Sequence, residues 1–376
     1  MPDVDRELKE LRARIDSLDD RLVDLLAERR RLVEEVAEIK KRHQLPAYHP
    51  AREEDLISQR RRAAAARGLA PDFVEEIFRQ IMRHSRATQN RSLAARAVRP
   101  GATVLLVGGA GEMGAYFRRW FTQSGYQVRI LERDDWERAA ELCRGIDLAL
   151  VGVPIDVTGE AIARLGPHLD PEVVLADITS VKEMPLRAML AAHAGPVLGL
   201  HPLFGASTST LDKQIVVVTP GRQEEKCRWV IEQFQAWGAV TVQAGAAEHD
   251  RIMAIVQALR HFATFAFGRF LCRQGVDLQR TLEFSSPIYR LELGMVGRLF
   301  AQDPGLYGEI IFADRQRTAM LLAYLDSLAE LRQMLAAPDK QAFHREFAAV
   351  ADWFGPFGDQ ALRESSFLID KLIERF

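Results

Sequence analysis

The feature that most constrains the fold is a glycine-rich motif that lies far from the start of the chain. An apolar run from Thr103 to Val107 leads into Gly108-Gly-Ala-Gly-Glu-Met-Gly114, which predicts a β-strand, a tight turn and a helix start. Such a unit opens doubly wound α/β domains. About a hundred residues precede it here, with Pro100-Gly101 at the junction, so we expect a separate domain in front of it.

The composition is that of a globular protein. The chain has 376 residues, 48% of them hydrophobic and 27% charged, which suggests two or three domains. A net charge of -2 gives no reason to expect nucleic acid or a membrane surface as a partner. The three cysteines form no metal or redox motif, so no metal site is predicted. There is no apolar signal segment and no run of the roughly 18 apolar residues that span a bilayer, so we predict a cytoplasmic protein.

The region before the junction has a helical pattern. Apolar residues recur at helical spacing from Val4 to about Lys41, which predicts one helix about 57 Å long. Two shorter helices are predicted over about 51–67 and 71–95, the second with Pro71 in its first turn. The long helix has more apolar surface than two short partners can cover, so we expect an intertwined homodimer.

Several polar residues of this region share helix faces. Arg29 and Lys40 are about three turns apart and lie within roughly 20° of each other, and Ser85 and Gln89 share a face of the third helix. Arg12 lies about 80–100° away from the first pair, which suits a site on another subunit better than its own. On spacing alone, a solvated face of abundant arginines is the simpler interpretation.

The motifs of this region resemble those of the all-helical chorismate mutases. The matching segments keep both order and spacing: Leu11 to Asp19, Leu25 to Arg30, Val36 to Lys40, Arg52-Glu53 and Ser85 to Gln89. The resemblance implies that Arg12 is donated across a dimer and that Arg29 and Arg52 lie beside it. The rearrangement of chorismate to prephenate needs no acid, base or nucleophile. It needs a dicarboxylate held in a reactive conformer, which is a task for fixed arginines.

The same resemblance assigns the remaining polar residues of the site. It implies that Lys40 and Gln89 bracket the ether oxygen of the substrate, where negative charge develops in the transition state. It also implies that Ser85 binds the substrate hydroxyl or a nearby carboxylate. His49 departs from the family pattern, because some relatives have an aspartate there, and this puts one hydroxyl contact in question.

The glycine motif predicts a dinucleotide site. Gly109, Gly111 and Gly114 follow the first strand, and a second strand over 127–131 ends at Glu132. Such glycines let a pyrophosphate approach the helix N-terminus, and the acid binds the ribose hydroxyls, which favours NAD over NADP. From these residues alone, a nucleotide-free fold and a methyltransferase that binds S-adenosylmethionine stay open as alternatives.

The remaining pattern predicts two more structural regions. Short apolar runs at 148–154, 173–177, 197–200 and 215–219 are typical of a parallel doubly wound sheet. From about residue 246 the pattern is only helical. We therefore predict three domains: a helical domain over 1–97, a Rossmann-type α/β domain over 101–245 and an all-α domain over 246–376.

Candidate chemistry lies at strand ends and on one later helix. Ser180-Val-Lys182 and His201 each follow a predicted strand, where doubly wound sheets bind ligands. Arg290 and Arg298 lie about 80° apart on a helix, where they could clamp a dicarboxylate or merely neutralise acidic neighbours. His249 and His261 are weaker candidates.

The region over about 102–376 resembles the prephenate dehydrogenases. Beyond the glycine motif, the resemblance depends on several short segments: Ile130-Leu-Glu132, Ser180-Val-Lys182, Leu200 to Gly205, Glu248-His-Asp250, Gln257 to Phe265 and Ser285 through Pro304. It implies that His201 takes the proton of the 4-hydroxyl group of prephenate as hydride leaves for NAD. A free imidazole has a suitable pKa for this at neutral pH.

The resemblance also implies supporting roles for other residues. Arg298 would hold the ring carboxylate, Ser180 would steady His201 or the cofactor amide, and Arg290, Lys182 and His249 would help to position the substrate. No role follows for the loop over 206–212.

The sequence thus predicts a bifunctional enzyme that converts chorismate to prephenate and then to 4-hydroxyphenylpyruvate, CO₂ and NADH. The resemblance suggests tyrosine as a feedback inhibitor, with His261 as one contributor. Two alternatives stay open: arogenate as the substrate of the dehydrogenase, and an N-terminal helical module that dimerises without catalysis.

Overall fold

The structure is a computed structural model that describes residues 2–43, 50–93 and 96–373. It divides into two compact units. The first unit comprises Met1–Val153 and Val157–Ala246, and the second comprises Pro154–Asp156 and Ala247–Phe376. The boundary near residue 246 separates sheet-containing from helical chain, whereas the helical N-terminal region and the sheet belong to one unit.

The first unit begins with the three predicted helices, α1 (Pro2–His43), α2 (Pro50–Ala65) and α3 (Pro71–Leu93). Both α1 and α2 pack against α3. The helix α1 has 42 residues, and no Pro or Gly follows Pro2 within it, which explains why the helix stays continuous. Most of its apolar residues remain exposed, for example Leu11 at 51%, Leu18 at 58% and Leu25 at 60%.

Seven strands form one sheet in the described part of the first unit, in the order β2-β1-β3-β4-β5-β6-β7. Their bounds are β1 (Thr103–Val107), β2 (Gln127–Leu131), β3 (Leu148–Val151), β4 (Val174–Asp177), β5 (Val197–Pro202), β6 (Ile215–Arg222) and β7 (Val240–Gln243). The helices between the strands are α4 (Glu112–Gln123), α5 (Ala139–Leu142), α6 (Ile155–Leu165), α7 (Glu183–Ala192) and α8 (Glu224–Ala236). The strands β1 to β5 are parallel. The strand β2 lies on one side of β1, and β3 and the later strands lie on the other side. The direction in which strands are added therefore changes at β1, the strand that leads into the glycine motif.

The sheet differs from the predicted all-parallel one at its far edge. Strand β6 runs antiparallel to β5, since residues 203–214 connect them without the crossover helix that a parallel pair needs. Strand β7 was not predicted, because it is short and partly polar and lies at the sheet edge.

Two apolar layers cover the sheet. Alternate residues of β1 point to opposite faces, so Val104 joins one layer and Leu105 the other. The first layer contains a group of aromatic side chains from α4 and α8, among them Phe121 and Trp237 with ring centroids 4.9 Å apart. The junction after α3 is fixed to this layer, because the amide of Val98 donates to Oε1 of the fully buried Gln233 at 2.8 Å.

The main part of the second unit, from Ala247 onward, is helical in its described residues, as predicted. Its helices are α9 (Ala246–Met253), α10 (Arg260–Arg273), α11 (Leu278–Glu283), α12 (Pro287–Phe300), α13 (Pro304–Ile311), α14 (Arg315–Ala336), α15 (Lys340–Phe354) and α16 (Pro356–Ile373). A π-helical turn over Ala254–Leu259 connects α9 to α10 within the region that the sequence predicted to be helical. Such turns add one residue to the helical repeat and so rotate the side chains that follow.

Candidate active sites

The first candidate site lies in a groove between α1 and α3. Nη1 of Arg29 donates to Oγ of Ser85 at 2.5 Å, and that hydroxyl donates to the carbonyl of Ile81 at 2.8 Å. The groove has a volume of about 810 Å³ and is lined by both residues together with apolar side chains such as Leu26. Burial lowers the pKa of Arg29, but an arginine stays protonated at neutral pH.

The other predicted residues of this site lie on the same helices or beside them. Lys40 is half-buried on α1, where burial lowers its pKa and the nearby carboxylate of Glu53 acts in the opposite direction. Arg52 is exposed on α2 and its Nη1 lies 3.0 Å from Oδ2 of Asp55. Arg12 is exposed on α1.

Two residues of the predicted site cannot be placed in the groove. The backbone of Gln89 lies within α3, but its side chain is outside the described residues, and so is all of His49. Their roles stay predictions of the resemblance.

A buried ion-pair cluster, which the sequence did not predict, lies beside this groove. Arg86 follows Ser85 on α3, and its Nε donates to Oδ2 of Asp212 at 2.8 Å. Its Nη1 donates to Oε1 of Glu53 on α2. Asp212 is more than a hundred residues further along the chain, and no local pattern links it to Arg86.

The glycine turn after β1 has the geometry that a pyrophosphate site requires. Gly108 has a φ of 80°, a region that favours glycine. A Cβ on Gly114 would lie 2.1 Å from the carbonyl oxygen of Gly108, so only glycine allows this close approach. Gly111 is the N-cap of α4 and has no side chain that could cover the first amides of that helix.

Glu132 lies at the end of β2, next to this turn. Its Oε1 accepts the amide hydrogen of Ala110 at 2.7 Å, so the carboxylate borders the glycine motif as the sequence predicted. The turn, the helix start and the acid together fit a dinucleotide: a space for the pyrophosphate and an acceptor for ribose hydroxyls.

The ends of β4 and β5 hold a fully buried ion pair. Nζ of Lys182 donates to Oδ2 of Asp177, and both side chains have no exposed surface. Thr179 donates to the same oxygen at 2.5 Å through its hydroxyl group. The ammonium group of Lys182 is directed to Asp177, and its role in positioning the substrate stays a prediction. Cδ of Lys182 would lie 3.1 Å from a Cβ on Gly199, so the side chain packs against the middle of β5.

His201 lies within β5 and not in a loop after it. It is 2% exposed and pairs with Val217 of the antiparallel strand β6. Two strands hold its backbone, which fixes the position of the imidazole. Ser180 is half-buried after β4.

The candidate residues of the second unit lie on its first helices. Nδ1 of the buried His249 lies 2.7 Å from Oδ1 of Asp250. Arg290 and Arg298 are both on α12, as predicted, but in different surroundings. Arg290 is half-buried and donates to the carbonyl of Leu282 at the end of α11, whereas Arg298 is exposed.

Three family models match successive parts of the chain. The model for chorismate mutase type II matches residues 11–90. The models for the nucleotide-binding domain and the dimerization domain of prephenate dehydrogenase match residues 127–243 and 245–349.

Two curated relatives match almost the whole chain. The T-protein of Enterobacter agglomerans is 46% identical over 96% of this chain and 97% of its own length. The T-protein of Haemophilus influenzae is 43% identical, with 97% of both chains covered. The chain belongs to the T-protein family. It is a bifunctional enzyme of tyrosine biosynthesis, with a chorismate mutase domain followed by a prephenate dehydrogenase domain.

Solved structures agree with the fold of the dehydrogenase part of this T-protein family member. A prephenate dehydrogenase from A. aeolicus, in complex with hydroxyphenyl propionate and NAD+, aligns with a TM-score of 0.54 and 17% identity. The alignment covers 68% of this chain and 98% of that chain. The arogenate dehydrogenase of Synechocystis aligns with a TM-score of 0.50 and 18% identity, over 69% and 99% of the two chains.

Two buried cysteines, possible metal ligands and the lengths of the helices bear on whether the described part of this T-protein family member holds other kinds of site. Burial raises the pKa of Cys143 to about 11 and that of Cys227 to about 12, so neither is a thiolate nucleophile at neutral pH. No group of metal-ligating side chains occurs among the described residues. None of the described helices combines the length and apolar character that crossing a membrane requires.

Proposed function

We propose that the groove between α1 and α3 is the chorismate mutase site and that the turn after β1, with His201, serves the dehydrogenase. The observation that most supports the first assignment is the hydrogen bond between Arg29 and Ser85. These residues are on different helices, and the resemblance assigns both to one site. This arrangement supports a catalytic helical module.

In the mutase reaction the residues of the groove act by charge and position. Arg29 binds a carboxylate of chorismate, with Ser85 fixing the guanidinium and adding its own hydroxyl group. Arg52 and, from a second subunit, Arg12 hold the dianion in the reactive conformer. Lys40 and Gln89 donate to the ether oxygen, whose charge grows as the C–O bond breaks, so they stabilise the transition state more than the substrate.

NAD is the proposed cofactor of the second reaction. Gly109, Gly111 and Gly114 allow the tight turn that places its pyrophosphate at the start of α4. The carboxylate of Glu132 accepts from both ribose hydroxyls and would repel a 2′-phosphate, which favours NAD over NADP. When bound, NAD accepts the hydride from C4 of prephenate.

His201 moves the proton in this reaction. One ring nitrogen takes the proton of the 4-hydroxyl group as the C4–H bond breaks, which leaves a dienone. The ring carboxylate then departs as CO₂, and its bonding electrons make the ring aromatic. The same imidazolium returns the proton to the 4-oxygen, so no net proton is released.

Other residues have supporting roles in the proposal. Arg298 binds the ring carboxylate, and Arg290 and His249 help to orient the substrate. Ser180 steadies His201 or the cofactor amide. Lys182 contributes indirectly, through the buried ion pair with Asp177 beneath the strand that contains His201.

A homodimer is the proposed assembly. The apolar residues of α1 are exposed along the helix, and an exposed apolar stripe of this length marks an interface. The C-terminal region matches a dimerization domain, which agrees with this proposal. We also propose a cytoplasmic location and feedback inhibition by tyrosine, with His261 as one contributor. Dehydrogenase rates that do not change in millimolar tyrosine would contradict the inhibition.

One assay tests the two assigned activities together. Purified protein is given chorismate and NAD with no other enzyme, and NADH formation is followed by absorbance. Arg29→Ala should lower the rate from chorismate on the order of 10²-fold, because a transition-state contact is lost. The rate from added prephenate should stay unchanged.

The controls separate the two sites. Arg42→Ala removes an exposed arginine in the last turn of α1 and should change neither rate. His201→Asn should abolish NADH formation from either substrate but leave chorismate consumption intact. An Arg29→Ala protein that still forms NADH from chorismate at the wild-type rate would reject the groove as the mutase site. Comparing turnover of prephenate and arogenate decides between these substrates.

A further inference from the structure

The cluster of Glu53, Arg86 and Asp212, which we name the bridge cluster, joins the mutase helices to the sheet. Its three side chains are only 8–18% exposed. Arg86 uses different nitrogens for its two partners, Nε for Asp212 and Nη1 for Glu53. The rigid fork of a guanidinium therefore fixes the two carboxylates relative to each other. Lys213 adds a second cation, with Nζ 3.6 Å from Oε2 of Glu53.

One end of the bridge cluster adjoins residues that we propose for the mutase site. Arg86 directly follows Ser85, whose hydroxyl accepts from Arg29. Glu53 directly follows Arg52 and lies close enough to Lys40 to influence its pKa. A dianionic substrate in the groove would therefore place new negative charge close to Glu53 and would compete with it for the nearby cations.

The other end lies in the segment that connects β5 to β6. Leu211, just before Asp212, has no exposed surface and packs in the apolar layer of the sheet. Lys213, just after it, has a φ of 60°, and its amide donates to the carbonyl of Gly238 at 2.9 Å. Asp212 is thus held between two anchored residues, so a displacement of its carboxylate acts on the strands that this segment joins.

Those strands position His201. The connection closes with the amide of Leu203 donating to the carbonyl of Ile215 at 2.9 Å, and His201 pairs with Val217 next to this contact. The bridge cluster is therefore connected to His201 through the Arg86–Asp212 ion pair, the chain that follows Asp212 and the pairing of β6 with β5.

Stability alone is a poor explanation for this cluster. Burial acts to lower the pKa of Arg86, but its hydrogen bonds with Asp212 and Glu53 outweigh burial and raise it, so the guanidinium stays charged. Apolar side chains of similar volume often stabilise a protein as well as a buried ion pair does. Unlike apolar side chains, the ion pair responds to charge. An anion near Glu53 changes the relative strength of the contacts that Arg86 makes with Glu53 and with Asp212.

We propose that Arg86 couples the two active sites. A dianion in the mutase groove changes the position of the paired strands β5 and β6, and this changes the kcat/KM of the dehydrogenase reaction. Arg86 is a positioning residue for both reactions, and Asp212 is its partner on the sheet. This inference rests on the proposed sites. It predicts reciprocity, because coupling between two ligands acts equally in both directions.

The first test is a double-mutant cycle on the full chain. Arg86→Gln, Asp212→Asn and the double variant are compared for kcat/KM with chorismate alone and with prephenate plus NAD. Asp212→Asn should lower the mutase value, and Arg86→Gln the dehydrogenase value, each at least about 5-fold. The double variant should be no worse than the worse single variant, because both remove the same contact. If Arg86→Gln lowered only the mutase value and Asp212→Asn lowered only the dehydrogenase value, the inference would be overturned.

Two further variants separate coupling from general damage. Arg79→Gln breaks an ion pair with Glu75 on the same helix α3 and should leave the dehydrogenase unchanged. Arg86→Lys keeps the charge and should recover part of the lost dehydrogenase activity. If Arg79→Gln lowers the dehydrogenase as much as Arg86→Gln does, disturbance of α3 explains the result and the coupling is rejected.

The second test uses a ligand. An oxabicyclic dicarboxylate that mimics the mutase transition state is added during prephenate oxidation. It should change the dehydrogenase kcat/KM in the wild type and have a smaller effect in Arg86→Gln. Arg29→Ala, which weakens binding in the groove, measures any direct effect on the dehydrogenase. Equal effects in wild type and Arg86→Gln would refute the coupling, whereas a wild type without one of the two activities would refute the proposed function itself.

Discussion

At Gly114 the backbone leaves no space for even one methyl group. Its missing Cβ would lie 2.1 Å from the carbonyl oxygen of Gly108 and 2.7 Å from Cα of Gly109, so the turn must open to accept alanine. We expect Gly114→Ala to weaken NAD binding at least about 10-fold, because the amides of the turn lose their alignment with the pyrophosphate. Calorimetric titration with NAD measures this.

The same protein provides the control for Gly114→Ala. Its chorismate mutase activity should stay at the wild-type level, since the groove is built from α1 and α3. Gly159→Ala on α6 is a matched variant, because its Cβ would meet only the sulfur of Met184 at 3.5 Å. Unaltered NAD affinity in Gly114→Ala would remove the turn from the proposed cofactor site.

On α10, a buried histidine makes the stability of the protein depend on pH. Burial, with a smaller effect from Arg260, lowers the pKa of His261 to about 4, and its ring contacts Tyr307 with centroids 4.7 Å apart. The unfolded chain binds the proton below about pH 6.5 while the folded chain does not. The free energy of unfolding therefore falls as the pH drops from about 6.5 towards 4.

This dependence can be measured by replacing the histidine. Between pH 7 and pH 5 the wild type should lose about 2 kcal/mol more unfolding free energy than His261→Gln does. Urea denaturation at the two pH values provides the comparison, and His168→Gln, at an exposed position, is the control. Equal losses of unfolding free energy in the wild type and His261→Gln would show that His261 has the same pKa in the folded and the unfolded chain.

For the whole molecule, the central prediction is that each mutase site draws residues from two subunits. Arg12→Ala and Arg29→Ala should each be nearly inactive as mutases. Refolding them together from denaturant should form mixed dimers in which one of the two sites has both arginines. Half of the dimers are mixed, so the activity should rise to about a quarter of the wild-type value.

Chorismate consumption in the refolded mixture measures this recovery. Each variant refolded alone is the control and should remain nearly inactive. If the mixture is no more active than the average of the two separate variants, Arg12 acts within its own chain or not at all.

The features that depend on neighbours along the chain could be predicted from the amino-acid sequence. The uninterrupted periodicity of α1, the apolar runs of β1 and β2 and the spacing of the glycine motif are all short-range, so the helices, strands and nucleotide turn could be predicted. The Arg29–Ser85 site was also predicted, although by resemblance, since spacing alone could not distinguish it from a solvated face.

Contacts between residues far apart in the sequence became visible only in the folded chain. It reversed β6, since no crossover helix follows β5, and it placed Lys182 against Asp177, where no solvent reaches either group. It also brought Arg86 to Asp212. Such pairings depend on how separate helices and strands pack and on the free-energy cost of burying a charge without a partner. A local sequence pattern predicts neither of these.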